Sequence, residues 1–428
     1  MKRLMTLLVL LLLVLSACSG GSQSSNQTDD GGSDGSGGSG DKVTLTYAIW
    51  DKNQAPAMED IANKFMEAHP NVQIKVEVTP WDQYWTKLET AATGKSLPDL
   101  FWLNSANIEK YAKGGVLLPI TDQIEADGVD MSKYPEALNS IYTIEGENYA
   151  IPKDYDTIGL WYNKELFDAA GLSYPDDTWT WDTLLDAAKK LTDPANDVYG
   201  FAAALAGQTG IYNTMAQAGG FIINDGQAGH DQPEGLRGLK FWTDMIHTHK
   251  VSPTQAQMTD TPPNTLFESG KVAMMFAGSW MQIEFNQNEY TTDKVDVTVL
   301  PQDKQRGVVI HGLGNVIAQN TKHPDVAWEF LKFLGSEEAN VIQAETGTVI
   351  PAYEGTQQTW IDSNPKFNLQ VFIDMTEYAI PNPASIETRA WQQIETDILT
   401  KAWAGELDIE EAAKQAAEGI EGILAKEK

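Results

Sequence analysis

The chain reads as an α/β protein of parallel sheets covered by helices, and three observations carry that reading. Strand-like and helix-like segments alternate from Val43 onward. The body beyond residue 40 is long enough for two domains on the usual length prior. Its 42% hydrophobic and 21% charged content is that of an ordinary folded globule. Element by element, Val43 to Ile49 reads Val-Thr-Leu-Thr-Tyr-Ala-Ile, a strand. Pro56 to Ala68 sets Ile61, Phe65 and Ala68 at helical spacing, and Val72 to Val78 alternates as a strand with one buried face. A helix from about Gln83 to Thr93 follows. Pro98 to Leu103 is a short buried strand, and Ile108 to Ala112 is helix-like. Repeated strand, helix, strand order makes a parallel sheet the default and places ligands at the carboxyl ends of its strands.

Ahead of the body, Met1-Lys2-Arg3 leads into an apolar run from Leu4 to Leu15, ended by Leu15-Ser16-Ala17-Cys18. This pattern predicts a signal peptide over residues 1–17, because the run falls short of the ~20 apolar residues a membrane span needs. Cys18 is the one cysteine in 428 residues. Leu-Ser-Ala-Cys resembles the lipobox of bacterial lipoproteins, which implies acylation of Cys18 and a chain tethered to the extracytoplasmic face of the membrane. Residues 18–40 are almost all Ser, Gly, Gln, Asn, Thr and Asp, a lipid-anchored flexible linker with an r.m.s. reach of roughly 25 Å. Thirty Lys and Arg against sixty Asp and Glu give a net charge of −30, which excludes nucleic acid as a partner and opposes an anionic ligand.

Aromatic and short polar residues cluster at the predicted strand ends: Trp50-Asp51-Lys52-Asn53, Pro80-Trp81-Asp82-Gln83-Tyr84-Trp85 and Trp102-Leu103-Asn104-Ser105. A pyranose shows an apolar face and a rim of hydroxyls, so indoles cover the face while carboxylates, amides and Arg fix the hydroxyls. Not every tryptophan belongs to such a cleft. Trp242, Trp328 and Trp403 sit in apolar-periodic helical stretches and read as core; Trp179 and Trp181 flank a helix start; Trp85 reads as core, and the periodicity leaves Trp161 undecided.

Further segments carry a family resemblance: Ala91-Ala92-Thr93-Gly94 with Pro98-Asp99-Leu100-Phe101-Trp102, Tyr111-Ala112-Lys113-Gly114-Gly115-Val116-Leu117, Tyr162-Asn163-Lys164-Glu165-Leu166-Phe167, Ser269-Gly270-Lys271-Val272-Ala273 leading to Gly278-Ser279-Trp280, and Pro324 to Leu334. In this order they resemble the extracytoplasmic solute-binding proteins of the maltose-binding type, which feed oligosaccharides to bacterial ABC importers. The resemblance implies a two-lobed periplasmic-binding-protein-like fold with an interleaved chain and a hinge. Domain one would comprise residues 41–152 plus 312–351, and domain two residues 153–311 plus 352–428, with crossing strands near Ile310–Gly314 and Thr348–Pro351. It further implies that Trp102, Trp280 and Trp391 stack on sugar, that Asp156 binds hydroxyls, and that Asp51 supplies another polar contact. Trp50 and Trp81 join them from their strand-end positions, and Asn104 replaces part of the family's charged loop. Gln208, Tyr212, Asp154 and Arg389 complete the candidate set from their neighbourhoods.

The function so implied is capture of a neutral oligosaccharide by hinge closure and its delivery to ABC permease subunits, by a monomer without metal or cofactor. A membrane-tethered glycoside hydrolase is the rival reading, since it too needs indoles and a pair of carboxyls; the sequence carries no recognisable acid motif for it. The histidines His69, His230, His247, His249, His311 and His323 are scattered rather than spaced as metal ligands. Asp225 to Asp231 resembles a calcium loop in composition only, and an exposed turn accounts for it.

Overall fold

A computed structural model describes residues 42–427, so the predicted signal peptide, Cys18 and linker lie outside the described residues. Strands β1 (Val43–Ile49) and β2 (Val72–Val78) are joined by a helix over Ala55–Ala68. Pro56 occupies the first turn of that helix, where its missing N–H costs nothing, and Met58, Ile61, Ala62 and Phe65 bury one face. Alternation in β2 buries Val72 and Ile74 and leaves Gln73 and Lys75 outside. A helix over Trp81–Thr93 leads to β3 (Leu100–Asn104), buried at every residue, and to a helix over Ser105–Lys113.

Two short strands, β4 (Thr143–Ile144) and β5 (Glu147–Asn148), form a hairpin. Then come β6 (Ala150–Asp156) and β7 (Ile158–Asn163), parted only by Thr157. A second hairpin, β8 (Ile223–Asn224) and β9 (Gln227–Ala228), turns through Asp225 and Gly226, both at positive φ, and this turn accounts for the acidic stretch there. The remaining strands are β10 (Met274–Gly278), β11 (Val295–Thr298), β12 (Val308–Ile317), β13 (Ile350–Pro351) and β14 (Ala379–Pro381).

Among the described residues, the larger sheet has the order β13-β6-β12-β3-β1-β2, with β14 beside β12; the smaller has β10-β7-β11. The parallel order predicted from alternation holds for β2-β1-β3, the stretch where single helices link the strands. It does not extend further. β12 runs antiparallel to both β3 and β6, and β7 is antiparallel to both β10 and β11. The helix over Met281–Gln287 lies between β10 and β11 in the chain, yet β7, from more than 100 residues earlier, lies between them in the sheet. Local alternation cannot report such an insertion.

The chain passes between the sheets at Thr157, whose hydroxyl donates to Phe372 O at 2.8 Å. β12 spans the same seam, pairing with β14 at its start and with β6 and β3 further on. Its glycines serve close approach: a Cβ on Gly312 would stand 2.5 Å from Asp154 O, and one on Gly314 would stand 2.7 Å from Ala150 Cβ. Trp242, Trp328 and Trp403 are buried as predicted, and so are Trp85, Trp179 and Trp181; Trp161 also proves fully buried, edge-on to Phe285 and Phe367. Among the described residues no helix is long and apolar enough to cross a membrane.

Candidate functional site

The strand-end aromatics of the larger sheet meet one another first. Trp50 stands edge-on to Trp81, Tyr84 and Trp102, with ring centroids 5.1 Å apart in each pair. It therefore backs the cluster. Trp81, at the start of its helix, is the member left 45% exposed.

Trp81 lines a cavity of about 370 Å³ together with Asn104, Ala106, Asn107, Gln208, His311, Asn382, Arg389, Gln392, Gln393 and Thr396. Helical periodicity explains how one helix supplies so much of this wall. Along Thr388–Trp403, residues 389, 392, 393 and 396 follow one stripe toward the cavity, while Trp391, Glu395, Leu399 and Ala402 are buried. Arg389 lays its guanidinium over the Trp85 ring at 4.8 Å, bringing the helix against the aromatic cluster. Asn104 Oδ1 accepts from Asn107 Nδ2 at 2.7 Å, which orients that pair.

Asp156 ends β6 at the cavity's edge, opposite His311 of β12 in the strand register. Gln208 Nε2 donates to Asp156 Oδ1 at 2.6 Å, and His311 Nδ1 lies 3.7 Å from Oδ2. Burial pushes the Asp156 carboxyl up from its usual value; His311 and Gln208 oppose the shift and the charge of Asp154 adds to it.

Of the twelve residues expected at the site, the structure gathers Trp81, Asn104, Gln208 and Arg389 in the cavity wall, with Asp156 held against Gln208 and His311. The rest lie elsewhere. Trp102, expected to stack on a ligand, is 0% exposed: its Nε1 donates to Tyr47 Oη at 2.6 Å, and the Lys153 ammonium covers its ring at 4.4 Å. Trp391 is likewise 0% exposed and donates to Ser385 Oγ at 3.1 Å from the buried side of the cavity helix. Tyr212 is buried, donating to Glu395 Oε2 at 2.8 Å, while Glu395 Oε1 meets His230 Nε2 at 2.6 Å. Asp154 forms a buried ion pair with Lys153 at 2.6 Å and accepts from Leu313 N at 3.1 Å. Burial draws the Lys153 ammonium below its usual value, against the pull of Asp154 and Asp51. Asp51 accepts from Asn53 N and Gln54 Nε2, shaping its own loop, and Gln54 Oε1 in turn accepts from Lys153. Trp280 is 36% exposed and lies across Gly278, where a Cβ would stand 2.0 Å from the indole; it is outside the cavity wall.

Sequence reasoning missed Asn107, His311, Asn382, Gln392, Gln393 and Thr396. For the three helix residues a signal existed, the stripe they share with Arg389. For His311 and Asn382 none did, since β12 and β14 reach the cavity only through pairings remote in sequence.

The wall is thus six carboxamides with an indole, a guanidinium and an imidazole. Each carboxamide offers both donors and an acceptor, which suits hydroxyl groups and leaves no excess charge to be neutralised.

Comparison with known proteins adds the following. The sequence profile described as "Bacterial extracellular solute-binding protein" matches residues 50–341. The arabinooligosaccharide-binding protein of Halalkalibacterium halodurans is 27% identical over 294 residues, covering 66% of this chain and 65% of that one. The maltotriose-binding protein of Pyrococcus abyssi is 27% identical over 292 residues, 66% of this chain and 60% of its own. Among solved structures, the ABC substrate-binding protein Lmo0181 of Listeria monocytogenes, in complex with cycloalternan, superposes with a TM-score of 0.84 at 27% identity, covering 90% of this chain and 100% of that one.

Proposed function

The chain belongs to the bacterial extracellular solute-binding proteins, and from that premise we propose that it captures a neutral oligosaccharide and delivers it to the permease subunits of an ABC importer. The observation that carries the choice of ligand is the exposed indole of Trp81 beside six carboxamides in one cavity. The indole covers a pyranose face while the amides meet hydroxyls in either hydrogen-bonding sense. Asp156, fixed by Gln208, and Arg389 provide charge-assisted contacts at the rim.

Capture works by closure of two lobes, one built on the larger sheet and the other on the smaller, about the seam at Thr157 and β12. A sugar touching both lobes shifts the population toward the closed form by its difference in affinity for the two. The protein acts as a monomer without a cofactor and returns the sugar unchanged. Acylation at Cys18 tethers it to the extracytoplasmic face of the membrane, where the leash over residues 18–40 lets the body reach the permease.

Isothermal calorimetry with maltotriose, arabinotriose, cycloalternan and a panel of other neutral di- to pentasaccharides tests this reading. Saturable heat with at least one sugar, and no new reducing ends after prolonged incubation, is the expected result. New reducing ends would replace it with hydrolysis.

A further inference from the structure

One side chain of the cavity wall has chemistry that points directly at a ligand atom. Asn382 follows β14 and lines the cavity, yet only 6% of it is exposed, and its Oδ1 is buried with no hydrogen-bond partner. Its two N–H groups, backbone and side chain, are engaged. Its backbone N–H donates to Ile310 O at 2.9 Å. Its Nδ2 lies 3.3 Å from Ser105 Oγ and 3.5 Å from Pro383 O. The Pro383 carbonyl can only accept, which favours the amide nitrogen on that side and the oxygen turned away from it. The oxygen of neighbouring Asn104 accepts from Asn107 Nδ2, whereas that of Asn382 has no such donor. A buried carbonyl lacking a donor is costly, and native proteins leave few of them.

We propose that Asn382 Oδ1 is a ligand contact that accepts the hydrogen of one sugar hydroxyl and discriminates against analogues lacking it. This deepens the sugar-binding reading above and rests on it. What the oxygen lacks is a donor; a hydroxyl supplies one, whereas an ether or carboxylate oxygen does not. Sites built around such a bond reject deoxy analogues strongly, because the protein's own buried group is then left unpaired. Ser105, 277 residues away in sequence, acts as the positioning residue that gives the amide its direction.

The test is calorimetry on the whole chain with maltotriose, arabinotriose, cycloalternan and the panel above, repeated on Asn382→Leu and Ser105→Ala for whichever sugar the wild type binds. Asn382→Leu is expected to bind about tenfold more weakly or worse, the scale of one lost hydrogen bond. Its melting temperature without sugar should stay near wild type, since removal of the unpaired carbonyl offsets the lost Nδ2 contact with Ser105. Ser105→Ala should fall between Asn382→Leu and wild type, because the amide is free to turn. Affinity within twofold of wild type for Asn382→Leu overturns the assignment alone, and so does a loss of binding that merely follows a loss of stability. A wild-type chain that binds no member of the panel overturns the sugar reading and this assignment together.

Discussion

The floor and the rim of the cavity are cut from the same strands, two residues apart. On β3, Trp102 is sealed in the floor while Asn104 stands in the wall; on β6, Asp154 is locked to Lys153 while Asp156 reaches the edge. Residues i and i+2 share a face of a strand, so direction does not separate them; a rise of ~3.3 Å per residue does. Depth along the strand decides whether an indole or a carboxylate holds the fold or meets a ligand.

The largest effects should come from the floor. Asp154→Ala strands a buried ammonium and is expected to cost about 3–5 kcal/mol, read as a fall in the urea midpoint, whereas Asp154→Leu combined with Lys153→Met should recover most of it. If the single variant unfolds no earlier than wild type, the floor is not the structural region described. Trp102→Ala belongs on the same scale, about 3–5 kcal/mol of stability, because it empties a fully buried site. Its milder relative Trp102→Phe sharpens the distinction. Affinity for sugar should stay near wild type, and a large loss in calorimetry with stability intact would move Trp102 to the rim.

The rim should show the opposite pattern. Trp81→Ala is expected to weaken sugar binding by about 1–3 kcal/mol, the worth of covering and stacking one aromatic, with a smaller loss of stability, about 0.5–1.5 kcal/mol, from its edge contact with Trp50. Unaltered affinity would remove the exposed indole from the proposal. Smallest is Asp156→Asn. The folded state holds the Asp156 proton more tightly than the unfolded one, so the stability lost to its ionisation grows as pH rises from below the ordinary value of 3.8 through the raised folded value. Asparagine abolishes that loss and still accepts from Gln208. The variant should therefore melt above wild type at neutral pH, with the difference closing at about pH 3. A gap that widens on acidification would reverse the sign argued for this carboxyl.

Much of the fold was legible where structure is local. The bounds of β1 and β2 follow from alternation alone, and the helices after β1, β2 and β3 from spacing that is four residues long at most. The return of β12 between β3 and β6, and the insertion of β7 between β10 and β11, depend on pairings across more than a hundred residues that no window reveals. The same limit governs the site. Trp81 and Asn104 were legible because they follow strand ends, and Gln208 and Arg389 only through the neighbourhoods that the family resemblance marks. Trp102 was misplaced because composition shows which residues suit a sugar but not how deep they lie. Asn382 was invisible because asparagine after a three-residue strand looks like any turn.

The helix over Thr388–Trp403 keeps its two duties on separate stripes, Trp391 and Glu395 inward, Arg389, Gln392, Gln393 and Thr396 toward the cavity. Exchanges along the outer stripe can therefore redraw the menu of accepted glycans with little change to the interior, save at Arg389, whose guanidinium also covers the buried Trp85 ring. A lineage carrying this element could drift from one nutrient to another by a few point changes, and an engineer seeking a biosensor of altered selectivity would begin on the same four positions.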